Sequence, residues 1–343
     1  MIKKVDIAIV GGASSVGEML IDILSEREFP VGEIYMLESE SSSGSRVEFN
    51  GEALKLTDIN NFDFTKVKIA FFVSTEKISK QFVEKAAATG CIVIDRSPAF
   101  RQDKDVPLII PEINSEAMDG FSKRNIIASP SCVSIQMLMA LKPIYDAVGI
   151  KAINVSTYQA VSGSGKDAAE ELASQTAALL NFRDVKCKTY SKQIAFNALP
   201  QIGEFLDNGY TDEEMKLLWE TQKVLNDDSV LVNATAVRIP VFIGHAASLH
   251  VETTDSVSAN KVKNLLHGKA GIEIFDESQV SDAGRWPTAV TEAAGNDTIY
   301  VGRIRENISS ENGINMWVVT DNMRKGAATN VVQIAEILVK LYI

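Results

Sequence analysis

Near-continuous apolar runs mark the first third of the chain: Val5-Asp-Ile-Ala-Ile-Val10, Lys68-Ile-Ala-Phe-Phe-Val73 and Cys91-Ile-Val-Ile-Asp95. Each reads as a strand buried on both faces. Helical periodicity separates them, with Met19, Leu20, Ile23 and Leu24 in one segment and positions 78–89 in another. Glu33-Ile-Tyr-Met-Leu37 is the second strand of the series. Strands and helices in alternation predict a parallel sheet covered on both sides. Later the pattern changes. Ala152-Ile-Asn-Val-Ser-Thr-Tyr-Gln159 alternates, as a strand of a half-exposed antiparallel sheet does. More strands are expected within 236–252, as two segments joined at Gly244-His245, and at 298–305 and 315–321. Helices are expected over 166–180 and 212–225, and an amphipathic one over 326–343 that returns to the first domain.

Between the two patterns lies Asn125-Ile-Ile-Ala-Ser-Pro-Ser-Cys132-Val-Ser-Ile-Gln136. A short apolar run turns through Ser129-Pro130-Ser131 into a helix whose buried face carries Ile135, Met137, Leu138, Leu141, Ile144 and Tyr145. Cys132 stands at the junction. Unpartnered N–H groups and the helix dipole favour a thiolate there, so the residue is a candidate nucleophile. An inert buried cysteine is the plainer alternative.

The first strand runs into Gly11-Gly-Ala-Ser-Ser-Val-Gly17, and then into a helix. Strand, glycine turn and helix form the first unit of a dinucleotide-binding fold. The glycines do not spell the common fingerprint, since Ser14 stands where a glycine is expected. Glu38 ends the second strand, where an acid would meet a ribose hydroxyl, or would simply be a solvated charge. Glu220 and Lys223, three apart on one helix face, read either as a surface ion pair or as site residues. Spacing alone makes Arg101 a solvated loop charge.

Composition narrows the classes. The 343 residues suffice for two domains, and 45% apolar with 23% charged residues is ordinary for a soluble protein. A net charge of −11 without a basic run argues against nucleic acid, and an anionic substrate would need locally placed Arg and Lys. Cysteines at 91, 132 and 187 give neither a disulfide framework nor metal-ligand spacing. The first residues lead directly into a strand, with no signal peptide or spanning segment, so a cytoplasmic setting without membrane partners is expected. No internal repeat or low-complexity linker is evident.

Several stretches together resemble the bacterial aspartate-β-semialdehyde dehydrogenase family. They are Ser-Pro-Ser-Cys132-Val-Ser-Ile-Gln, Thr-Tyr-Gln159-Ala-Val-Ser-Gly-Ser-Gly, Glu220-Thr-Gln-Lys223, Arg238-Ile-Pro-Val-Phe-Ile-Gly-His245, Pro111-Glu-Ile-Asn114 and Trp317-Val-Val-Thr-Asp-Asn322-Met-Arg-Lys-Gly-Ala-Ala. The resemblance covers essentially the whole chain. It implies an α/β fold with a Rossmann-type dinucleotide-binding domain over 1–131 with 324–343. An α+β catalytic and dimerisation domain with a mixed, largely antiparallel sheet is expected over 132–323. By the same resemblance Cys132 forms an acyl thioester, His245 is the general acid/base and Gln159 positions the reactants. Arg238 takes the substrate α-carboxylate, Glu220 its amino group, and Arg101 and Lys223 the phosphate, beside Ser131. Cofactor contacts are expected from Gly11, Ala13, Ser14, Ser15, Val16, Ser39, Ser41, Ser42, Ser162, Gly163 and Asn322. The implied reaction is NADPH-dependent reduction of aspartyl phosphate to aspartate semialdehyde and free phosphate, on the route to lysine, threonine and methionine. A homodimer or dimer of dimers built on the second domain's sheet is implied as well. His250 and His267 are expected to be structural or surface residues.

Departures accompany the matches. Ser131 replaces the family's asparagine, Val133 and Ser134 replace a Ser-Thr pair, and Ala247 stands where glutamate is common. Ser41 takes the place of an arginine that meets the NADP 2′-phosphate, with Glu38 and Glu40 nearby, so NAD is expected to compete better than in arginine-bearing relatives. Two alternatives remain: an acylphosphate reductase of arginine biosynthesis, which would leave Glu220 without a purpose, and an inactive paralogue serving as a binding or assembly protein.

Overall fold

In the computed structural model, which describes residues 4–38, 46–49, 51–275 and 286–343, the apolar runs become strands. The elements in order are β1 (Val5–Val10), α1 (Ser15–Glu26), β2 (Val31–Glu38), β3 (Arg46–Phe49), β4 (Glu52–Asp58), β5 (Ile69–Phe72) and α2 (Glu76–Ala88). Next come β6 (Ile92–Asp95), α3 (Pro111–Asn114), β7 (Ile126–Ala128), α4 (Cys132–Val148), β8 (Ile150–Gln159), α5 (Lys166–Leu180) and α6 (Asp212–Leu225). The chain continues through β9 (Leu231–Arg238), β10 (His245–Thr253), α7 (Ala259–Leu266), β11 (Ile272–Phe275), β12 (Ile299–Glu306), β13 (Gly313–Thr320) and α8 (Thr329–Leu341). Two compact units result: Met1–Ser131 with Ala327–Ile343, and Cys132–Gly326.

The first unit is a seven-stranded sheet in the order β3-β4-β2-β1-β5-β6-β7. All its pairings are parallel except the β3–β4 hairpin, which the sequence pattern did not announce. Ile7, Ile9, Phe71, Phe72, Val93 and Ile94 are fully buried, as strands covered on both faces require. Ser14 acts as the cap of α1: its hydroxyl accepts the Gly17 N–H at 3.0 Å and donates to the Gly11 carbonyl at 2.7 Å. A side-chain oxygen at that point satisfies one of the helix's unpartnered N–H groups, so a serine serves where a glycine was expected. The last helix is shorter than anticipated, because residues 324–328 form a π-turn before α8. α8 packs on α1, and Arg27 of α1 makes a two-point ion pair with Glu336.

The second unit is a six-stranded mixed sheet in the order β11-β12-β13-β10-β8-β9. β12, β13, β10 and β8 pair antiparallel, while β11 and β9 join the two edges in parallel. One face buries Ile153, Val155, Leu249, Val251, Met316 and Val318, and α4, α6 and α7 lie among the elements of this core. The two segments within 236–252 are not partners. β8 lies between β9 and β10, and residues 239–244 cross from one side of it to the other. Alternation can identify each strand but carries no information on its neighbour. α6 begins with a capping box: Thr211 accepts the Glu214 N–H, and the Glu214 carboxylate accepts the Thr211 N–H at 2.8 Å.

Candidate active site

Cys132 is the first residue of α4, four residues beyond the end of β7 at Ala128, and is partly exposed. The contrast with Cys91 is instructive. Burial at the entry to β6 pushes that thiol up to about 12, opposed by Lys68, which makes it an inert core residue. α4 is tied down one turn beyond the cysteine, where the Gln136 amide donates to the Val318 carbonyl at 2.7 Å and to the His245 carbonyl at 3.4 Å. Gly326 passes so close to the candidate nucleophile that an added Cβ would stand 2.7 Å from the Cys132 Cβ.

The other groups sit at strand ends. Gln159 and Arg238 are register partners at the ends of β8 and β9, and His245 opens β10. All three side chains are at least 96% buried by exposures of 2%, 4% and 0%. The Ala160 peptide joins two of them: its N–H donates to His245 Nδ1 at 3.1 Å, and its carbonyl accepts from Arg238 Nη1 at 2.6 Å. A main-chain N–H can only donate, so Nδ1 is an acceptor and the neutral imidazole carries its proton on Nε2. A Cβ built on Gly163 would lie 3.0 Å from Arg238 Nη1 and 3.5 Å from His245 Nε2, so both side chains close on this backbone position. Burial pulls the Arg238 guanidinium below its ordinary value, and the nearby Tyr190, Glu213 and Cys132 act in the opposite sense.

α6 supplies an acid and a base, but not the pair singled out by spacing. Glu213, in its first turn, comes within 3.4 Å of the Gln159 amide and bears electrostatically on Arg238. Lys216 lies beside it, 3.4 Å from the Glu213 carboxylate and 2.6 Å from Asp212. Glu220 is two turns further on, about 10 Å along the axis, and is fully buried on the face that includes Leu217, Thr221 and Val224. Lys223 is further still, in the last turn. The structure thus brings Glu213 and Lys216 to the strand ends and leaves Glu220 and Lys223 behind. The missed pair has the same Glu-x-x-Lys spacing, and its place just after the Thr211 cap was the available signal.

Asn322 and Ser162, expected at the cofactor, bond to each other at 3.0 Å, and Asn322 also accepts the Gly244 N–H at 2.9 Å, one residue before His245. Ser131 precedes Cys132 and is buried. In the first unit Arg101 is not the solvated charge that spacing suggested. It is 6% exposed, and its guanidinium donates to the carbonyls of Ser129, at 2.9 Å, and Arg96. His250 meets Asn315 at 3.1 Å across the sheet, and His267 ends α7 in solvent.

Around the glycine turn, Gly11, Ala13, Ser14, Ser15 and Val16 link β1 to α1. Glu38 is not a free charge but half-buried, and its carboxylate accepts the Ala13 N–H at 2.9 Å. It lines a cavity of about 610 Å³ with Asn60, Ser74, Thr75, Lys77 and Gln81, whose polar rim suits the ribose and base of a nucleotide. Ser39, Ser41 and Ser42 lie outside the described residues. Among the described residues, no cluster of His, Cys, Asp or Glu is arranged to hold a metal, and no helix is long and apolar enough to cross a membrane.

Comparison with known proteins points to the same family. Residues 6–121 match the family described as "Semialdehyde dehydrogenase, NAD binding domain", and residues 141–325 match "Semialdehyde dehydrogenase, dimerisation domain". Aspartate-semialdehyde dehydrogenase of Shewanella sp. (strain DB6705) is 51% identical over 342 residues, covering 100% of both chains. Aspartate-semialdehyde dehydrogenase 2 of Vibrio cholerae is 51% identical at the same coverage. A crystal structure of aspartate semialdehyde dehydrogenase II from Vibrio cholerae complexed with ASA superposes with a TM-score of 0.96, covering 99% of this chain and 100% of that one. The chain belongs to the aspartate-semialdehyde dehydrogenase family, with its NAD-binding domain and its dimerisation domain.

Proposed function

We propose that this protein reduces L-aspartyl-4-phosphate to L-aspartate-4-semialdehyde through a thioester on Cys132, with NADPH as hydride donor. The observation that carries the reading is the convergence of Cys132, Gln159, Glu213, Arg238 and His245 at one end of the second unit's sheet. Arg238 holds the α-carboxylate in a two-point grip, and Glu213 takes the amino group in place of Glu220. Arg101 and Lys216 are assigned to the phosphate, with Lys216 replacing Lys223. The Cys132 thiolate attacks the acyl carbonyl, and phosphate leaves with the bonding electrons. A nicotinamide nucleotide, when bound, supplies the hydride that takes the thioester to the aldehyde level. His245 Nε2 gives and takes the proton as the tetrahedral oxygen forms and collapses, and Cys132 is released.

The cofactor belongs with Gly11 to Val16 and Glu38, where the helix start and the polar cavity suit a dinucleotide. The relatives that match over the full length are named for this activity, which weighs against an inactive paralogue. A cytoplasmic homodimer fits the dimerisation domain and the absence, among the described residues, of a membrane-crossing helix. The division of labour is assigned to 1–131 with 324–343 for the nucleotide and 132–323 for chemistry and assembly. The test is phosphate-dependent reduction of NADP with aspartate semialdehyde, run on the wild type and on Cys132→Ser. Turnover in the wild type and none in a correctly folded Cys132→Ser protein is expected. Near-normal activity in the serine variant would remove the thioester, and absence of phosphate-dependent turnover in the wild type would remove the function.

A further inference from the structure

Tyr190 lies in the irregular stretch between α5 and α6, yet its position is fixed by two buried side chains of α5. Glu171 accepts the main-chain N–H groups of Lys188, at 2.9 Å, and of Thr189. Gln175 accepts those of Ile194 and Ala195 at 2.9 and 3.2 Å, and donates to the Lys186 carbonyl at 3.0 Å. The loop is therefore pinned on both sides of the tyrosine. The ring packs on a cluster that includes Val161 and Leu199. Val161 follows Ala160, whose carbonyl holds Arg238, and Leu199 exchanges two main-chain hydrogen bonds with Arg238 at 2.9 and 2.8 Å. The tyrosine is thus carried by the same two segments that flank the arginine.

Among the described residues, two buried polar atoms in this corner have no hydrogen-bond partner: the Tyr190 hydroxyl and Arg238 Nε. Each is a donor, and buried donors are rarely left unsatisfied unless a ligand completes them. Glu213, the nearby acid, bears on the same guanidinium but bonds to Gln159 and Lys216. What the pair lacks is an acceptor with more than one oxygen. A carboxylate provides that, while an ammonium or an aldehyde carbonyl does not.

We infer that Tyr190 is a further substrate-binding residue, whose hydroxyl donates a hydrogen bond to the carboxylate held by Arg238. This rests on the proposed function for the identity of the substrate, though not for the chemical class recognised. A neutral donor adds direction to the guanidinium's charge, and so selects a carboxylate in one orientation.

The test uses Tyr190→Phe in the full-length protein, which keeps the ring and its packing. Three aldehydes separate the possibilities: aspartate semialdehyde, succinic semialdehyde, which keeps the carboxylate but lacks the amine, and 3-aminopropanal, which keeps the amine alone. KM for the two carboxylate-bearing aldehydes is expected to rise about tenfold, as for loss of one hydrogen bond to a charged group. Turnover number, cofactor KM and phosphate KM should stay within about twofold, and 3-aminopropanal should be unaffected. An unchanged KM for aspartate semialdehyde overturns the inference, and so does a penalty that persists with 3-aminopropanal. Calorimetric titration with succinate needs no turnover and reads the same contact. About tenfold weaker binding by Tyr190→Phe supports the inference even if the wild type oxidises none of the aldehydes, whereas equal affinity overturns it.

Discussion

Two acids on one helix face were indistinguishable by pattern. Glu213 and Glu220 are seven residues apart, which is almost two turns, so they share a phase and each is followed three positions later by a lysine. Periodicity reports the face of a helix and says nothing about which turn reaches a site; that depends on where α6 starts relative to the ends of β8 and β9. A paired substitution separates them. Glu213→Gln is expected to raise KM for aspartate semialdehyde by about tenfold or more, as loss of a charge-assisted contact does. Glu220→Gln is expected to leave KM unchanged and lower Tm, because that carboxyl is fully buried in the helix interface. Steady-state kinetics and melting curves on both variants check this. Glu38 invites the same approach. Its carboxylate sits on the Ala13 N–H, and its charge opposes a 2′-phosphate. Glu38→Gln should therefore increase the ratio of kcat/KM for NADP over NAD by about tenfold, removal of one nearby charge being worth roughly that much. An unchanged ratio would mean that this carboxylate does not set cofactor choice.

At the scale of elements, α6 was legible to the residue from its helical pattern, whereas the placement of β9 and β10 was not, since the two strands lie on opposite sides of β8. The stretch between α5 and α6 was opaque for a different reason. Its order comes from Glu171 and Gln175, two polar residues on a helix face that a pattern reading assigns to solvent. Burial alone would raise the Glu171 pKa, but the N–H donors of Thr189 and Lys188 outweigh it and hold the carboxyl below its ordinary value. A depressed value means that the bound loop is favoured above the unfolded-state pKa, and that this contribution is lost as pH falls through the folded-state one. Hydrogen exchange over 184–199 should accelerate on acidification below about pH 4.3, the ordinary glutamate value, while exchange in β8 and β10 stays slow. In Glu171→Gln the same segment should exchange fast with no acid-dependent step. A wild-type loop that shows no such step would show that the carboxylate is not the latch.

For the whole molecule, the change of pattern near Cys132 was the readable feature, because parallel strands are buried on both faces and the later strands on one. The outer face of the second sheet follows from that alternation. Tyr158 and Trp317 pack there with tilted rings whose centroids are 5.5 Å apart, beside the exposed Ser248 in the middle of β10. Small and aromatic side chains on a central strand suit a second copy of the chain. Ser248→Arg is expected to convert the dimer to monomer in analytical ultracentrifugation, since a long charged side chain would have to be buried in the contact face. A variant that still sediments as a dimer would move the interface elsewhere.

The Ala160 peptide, gripped by His245 on its N–H and by Arg238 on its carbonyl, has an evolutionary corollary. Two residues of the proposed chemistry double as scaffolding, so loss of either would loosen the loop on which the other depends. A lineage drifting away from catalysis would keep both for architectural reasons long after the reaction had ceased. Their presence in a distant homologue is therefore poor testimony of activity. The thiol at the start of α4 is the better witness, because it is the group the proposed reaction consumes and regenerates.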